Sequence, residues 1–185
     1  MTIYNYLKEN IGYTDYQIQI LRYFILTICS EISKFFIFSI YFLFFNMLRE
    51  YLFSVILLIF LRFFSGGLHK KTYMGCLLYS LSYLVFSIQL LPQLHISIHN
   101  MIFNLLLCCV IIYKVGPIPS IYRKHNPHKL LLLYRYFCTF LVLLYTLCII
   151  IVPRNRYTDI GFWVIIIHTL QLLLSLREVR IENEK

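Results

Sequence analysis

Between two apolar runs the chain reads Arg62-Phe63-Phe64-Ser65-Gly66-Gly67-Leu68-His69-Lys70-Lys71-Thr72-Tyr73-Met74-Gly75-Cys76. Two of these side chains suit nucleophilic catalysis. A cysteine attacks a carbonyl as its thiolate, and a neighbouring imidazole that takes the thiol proton supplies that form. His69 precedes Cys76 by seven residues. On one straight helix that spacing returns to the same face but rises about 10 Å. A hydrogen bond needs about 3 Å, slightly more for sulfur. An uninterrupted helix therefore keeps the pair apart. The Gly66-Gly67 pair and Gly75 are expected to let the backbone bend or unwind, with contact across a dimer as the alternative.

Plainer readings compete for the same residues. A lone cysteine packs as a small hydrophobe, and a lone histidine is often an incidental loop residue. Structural zinc takes about four ligands. His125 and His128 in a later loop are the candidates to complete such a set, and no CxxC or HxxxH spacing supports them. No metal and no cofactor is expected.

The elements that must position these residues are read from composition and hydropathy. The 185 residues are 60% hydrophobic, 14% charged and 18% aromatic. A soluble domain is about half apolar and about a quarter charged. The excess points to lipid as solvent. The first twenty residues contain Lys8, Glu9 and Asp15 and lack the apolar core of a cleavable signal. Residues 1–22 read as an amphipathic, interfacial helix. Apolar runs then extend over Phe24 to Met47, Tyr51 to Phe64, Leu77 to Leu91, Ile96 to Val115, Leu130 to Val152 and Ile160 to Leu176. A crossing helix needs about 20 residues, within a range of about 17 to 25. The second and third runs are short and require their flanks or a tilt. The expected fold is all-α: one polytopic transmembrane bundle over 1–185, with about six spans within 23–176 and a tail at 177–185.

The formal net charge is +9. The basic residues lie in short clusters between apolar runs, the pattern of cytoplasmic loops and anionic lipid contact. No nucleic-acid partner is expected. Arg62, Lys70 and Lys71 place the first cluster inside, and Lys114, Arg123, Lys124 and Lys129 the second. Arg177, Arg180 and Lys185 place the tail inside, so the N-terminus lies inside as well. The link with Arg154 and Arg156 belongs outside and is mildly at odds with that rule. Of the six cysteines, Cys29, Cys108, Cys109, Cys138 and Cys148 lie within apolar runs, and no disulfide framework is suggested. Glu31 is an ionisable residue inside an apolar run. It is a candidate to orient His69 or pair with Arg62, or else the ion-pair partner of Lys34. His95, His99 and His168 are assigned no chemistry.

The spacing Arg-x4-Gly-x-His-x6-Cys, here Arg62, Gly67, His69 and Cys76, resembles the signature of the AgrB family of quorum-sensing propeptide-processing enzymes. The doubled glycine before the histidine fits. So does the basic, proline-containing loop from Gly116 to Lys129. Lys70-Lys71 departs from the small residue that often comes after the histidine in that family. The resemblance implies a membrane cysteine endopeptidase with His69 and Cys76 as its dyad. It would cut a precursor peptide at its C-terminal side and promote closure to a thiolactone or lactone. The chain ends in Ile181-Glu182-Asn183-Glu184-Lys185, so the implied substrate is a separate, AgrD-like peptide. A homodimer in the bacterial cell membrane, with the site on the cytoplasmic side, is implied as well. Arg62, Gly66 and Gly67 are candidates for substrate or oxyanion contacts, with a snorkelling interfacial arginine as the other reading of Arg62. The alternative function is a small membrane transporter or peptide exporter subunit. Transport predicts broken segments at corresponding positions of two halves, and one break is seen.

Overall fold

The computed structural model describes residues 12–66, 72–118 and 128–183. These residues are all-α, with no strand among them. The chain divides into two compact units, with the boundary between Phe44 and Phe45.

The first unit holds one helix, α1, Asp15–Phe44. Thr14 and Gln17 start it as a reciprocal cap. The Thr14 amide donates to Gln17 Oε1 at 2.9 Å, and the Gln17 amide donates to Thr14 Oγ1 at 3.3 Å. At 30 residues it is about 45 Å long, more than a bilayer's hydrocarbon core requires. From Asp15 onward, the expected interfacial segment and the first apolar run form one continuous helix.

The second unit is a bundle of five helices. These are α2, Leu48–Ser65; α3, Tyr73–Val85; α4, Ile98–Val115; α5, His128–Ile151; and α6, Arg156–Asn183. After α3 the chain widens into a π-turn, Phe86–Leu90, and then tightens into a 3-10 turn, Leu91–Gln93. Pro92 explains the change. Its ring lacks an N–H and collides with the carbonyl four residues back in a regular helix. The third run thus reaches crossing length as a composite, Tyr73–Gln93. Among the described residues, five helices are long and apolar enough to cross a membrane: α1, this composite, α4, α5 and α6. The remaining helix, α2, has 18 residues and carries Arg49, Glu50 and Arg62.

α6 is the central element of this unit. Of its span, 56% is buried, against 28% for α4 and 22% for α5. It packs on α2, on α4 and on the π and 3-10 turns, while α5 packs on α2 and α4. Phe64 of α2 seats between Tyr134 and Phe137 of α5, with ring centroids 5.8 and 4.2 Å away. Large apolar side chains such as Phe103, Val110, Phe140 and Leu147 point outward, as expected where lipid replaces water.

Opposite charges neutralise the basic link before α6. Arg154 pairs with Asp159 at 3.0 Å and donates to the Ile96 carbonyl at 2.7 Å. Arg156 pairs with Glu50 at the start of α2 at 3.4 Å. The link's two arginines therefore add little net charge at that end of the bundle.

α5 and α6 meet over Gly161. The Tyr145 hydroxyl donates to the Thr158 carbonyl at 2.9 Å, which lays the tyrosine across the glycine. A methyl group at Gly161 would land on the Tyr145 hydroxyl and ring edge. Gly161→Ala is expected to cost about 1–3 kcal/mol through overpacking. Thermal unfolding in detergent checks this, and a melting temperature equal to wild type refutes it.

Candidate active site

α2 ends at the point where the sequence doubles its glycine. Gly66 takes φ +79° and ψ −165°, a backbone conformation that side chains resist. Its amide donates to the Arg62 carbonyl at 2.9 Å and closes the helix. That amide is therefore committed to the helix end and is not a spare oxyanion donor in this arrangement. A Cβ at Gly66 would also lie 3.2 Å from the Ile118 carbonyl oxygen. The start of the proline-containing loop presses against this turn. The Ile118 amide donates to the Ser65 carbonyl at 3.2 Å, and Arg135 Nε donates to the Gly116 carbonyl at 2.7 Å.

The chain is helical again at Tyr73. Thr72 is extended, with φ −108° and ψ 145°, and its hydroxyl accepts the Gly75 amide at 3.2 Å. The break is therefore bounded by Gly66 and Thr72. Gly75 sits inside the first turn of α3 and does not bend the chain. An unbroken helix from His69 to Cys76 is excluded, because Thr72 is not helical.

Cys76 is buried in the first turn of α3, with its amide bound to the Thr72 carbonyl at 3.0 Å. It shares the inward face of α3 with Tyr83 and Leu84. His69 and Gly67 lie outside the described residues, as do Lys70, Lys71, Arg123, Lys124 and His125. None of the six cysteines is in a disulfide.

Arg62 does not snorkel. Its Nη2 donates to Gln171 Oε1 on α6 at 3.0 Å, and its guanidinium carbon lies 5.8 Å from the centroid of the Tyr83 ring. The Tyr83 hydroxyl in turn donates to the Val164 carbonyl at 2.6 Å. Arg62 thus links α2, α3 and α6 at one level. Glu31 pairs with Lys34, one turn along α1.

Sequence reasoning assigns no role to His168, yet the fold does. The residue is fully buried, and its Nε2 lies 2.7 Å from Ser65 Oγ. His168, Gln171 and Ser175 recur on one buried face of α6 at helical spacing. Polar residues in phase within an apolar run were the available signal, since such residues face the protein interior.

Residues 1–172 match the AgrB family, described as Accessory gene regulator B. A Clostridium beijerinckii protein described as AgrB-like is 35% identical over 100 residues, covering 52% of this chain and 50% of that relative. The chain spans about half the length of the curated relative it matches. No solved structure matches. With an all-helical bundle, a cysteine set in a helix start just after a glycine break, and a family match over nearly its whole length, this chain is a multi-pass membrane protein of the AgrB family.

Proposed function

We propose that residues 1–185 form an integral-membrane cysteine endopeptidase of quorum sensing. It processes a separate AgrD-like precursor peptide at its C-terminal side and promotes its cyclisation. The observation that carries this reading is Cys76. It sits buried in the first turn of α3, just after the non-helical Thr72, in a chain of the AgrB family. A cysteine kept only for packing needs neither the break nor the helix start.

The reaction balances without a cofactor. His69 takes the proton from the Cys76 thiol, and the sulfur attacks the scissile carbonyl carbon. A negative charge forming on that sulfur meets the positive end of the α3 dipole. Collapse of the tetrahedral adduct breaks the carbon–nitrogen bond. His69 returns its proton to the departing amine, leaving the peptide as a thioester on Cys76. A cysteine or serine within the peptide then gives its proton to His69 and attacks the thioester. The Cys76 sulfur leaves and is reprotonated, and the ring closes as a thiolactone or lactone. Apolar surroundings that exclude water favour this exchange over hydrolysis.

The site opens to the cytoplasm in this reading, in a bacterial cell membrane, and the enzyme works as a homodimer. The clusters at 62–71 and 114–129 then face anionic lipid and an acidic peptide tail. The Lys and Arg of 62–71 and 114–129 support the orientation by the positive-inside rule, and the 154–156 link runs against it.

Co-expression with a precursor peptide tests the chemistry. The peptide would be the one encoded beside this reading frame, with an amphipathic leader, an internal Cys or Ser and an acidic tail. Wild type is expected to release the tail. Cys76→Ala and His69→Ala are each expected to lower processing by at least about 10³-fold, as for other paired nucleophile and base residues. Normal processing by both variants ends the peptidase reading. Reporter fusions test the orientation separately. Those after Lys71 and Lys124 are expected to read inside, and one after Gln93 outside. The reverse pattern overturns it.

A further inference from the structure

Two side chains of α6, His168 and Gln171, reach two residues of α2, Ser65 and Arg62. Each pair is three residues apart in its own helix, so each presents one face. The contacts are crossed: His168 meets Ser65 at 2.7 Å, and Gln171 accepts from Arg62 at 3.0 Å. Ser65 Oγ also lies 2.7 Å from the Leu61 carbonyl and 3.3 Å from the Gly66 carbonyl. Ser65 Oγ and His168 Nε2 share one hydrogen bond, whose direction depends on the histidine tautomer.

Apolar residues would fill this interface at lower cost, because a buried polar group is expensive unless bonded. Directional bonds do something that apolar contact does not: they fix rotation and register. Here they fix the last turn of α2. The same turn holds the Ile118 amide through the Ser65 carbonyl. It ends at Gly66, where the segment carrying His69 begins.

We propose that His168 and Gln171 are positioning residues of the peptidase site. They lock the final turn of α2 and so fix the position of Gly66, from which the chain runs on to His69. This proposal rests on the peptidase reading above, and its experiment separates the two.

Detergent-purified protein is alkylated with iodoacetamide across a pH series, and modification at Cys76 is tracked by peptide mass spectrometry. Cleavage of the same precursor peptide gives kcat and KM, and thermal melting verifies folding. His168→Leu is expected to lower kcat by about tenfold with KM unchanged, the scale of one lost hydrogen bond. Its Cys76 alkylation profile is expected to move toward that of His69→Ala. His168→Gln keeps a side-chain amide that can donate to or accept from Ser65 and is expected to restore both. If His168→Leu does not fold, Gln171→Leu carries the same expectations, since it frees Arg62 from α6. Wild-type kcat and profile in these variants, beside an inactive Cys76→Ala, overturn the positioning role and leave the peptidase reading standing. A lowered kcat with an unmoved profile and no rescue by His168→Gln also overturns it. Full processing by Cys76→Ala removes both proposals.

Discussion

The bundle depends on one contact made where water is scarce: the Ser65 hydroxyl of α2 against the His168 imidazole of α6. Both side chains are buried, and α6 is the helix on which α2, α4 and the π-turn all pack. A polar group within a membrane must find its partner in the protein. Placed singly, either residue would be a liability. Placed together, they make rotation of α2 against α6 costly in both directions. Arg62 and Gln171 add a second directional bond beside the first. Apolar contacts such as Phe64 on Tyr134 and Phe137 supply area, but they do not select a register so narrowly.

In the proposed peptidase, fixing that turn matters because the segment bearing His69 starts there. α2 cannot continue past Gly66, whose positive-φ backbone is held against Ile118. α3 cannot begin before Tyr73, because Thr72 is extended and caps it. Two rigid helices therefore flank a short stretch that contains His69. A seven-residue separation is useless for proton transfer along a helix and becomes usable only when the helix is interrupted. For the proposed dyad the interruption needs fixed ends, or the pair would meet only by chance. Hydrogen bonding of the Ser65 turn to α6 on one side, and the Thr72 cap on the other, provide those ends.

Much of this architecture is legible in the sequence. The apolar runs locate the helices, since a bilayer demands long, uncharged stretches and loops interrupt them. The doubled glycine marks the break before Cys76, because that residue type tolerates a backbone others resist. Other features are not legible, for physical reasons. Gly75 resembles a second break, but a threonine three residues before it captures its amide and makes it helical. Pro92 announces a stop but not the π-turn that relieves it, because the relief comes from residues before the proline. Arg62, at the end of an apolar run, has the local look of a side chain reaching for the surface. Its partners, Gln171 and Tyr83, are 109 and 21 positions away, and no local pattern pairs them. His168 escapes notice for the same reason. Its partner stands 103 residues away, and the in-phase polar residues of α6 mark an inward face without disclosing what it meets.

Charge at the other end obeys the same logic of pairing. Topology rules count arginines in loops as if each faced solvent alone. Arg154 and Arg156 do not. One is held by Asp159 and the Ile96 carbonyl, the other by Glu50 at the start of α2. The pairing lowers the cost of holding both arginines against the bundle, whereas Lys70, Lys71, Arg123 and Lys124 lie in segments where no acidic residue adjoins them in sequence. The Arg156–Glu50 pair also ties the first turns of α2 and α6 together, while the Ser65–His168 contact joins the two helices near the far end of α2. Held at both ends, α2 and α6 form the frame against which the break at Gly66 is defined.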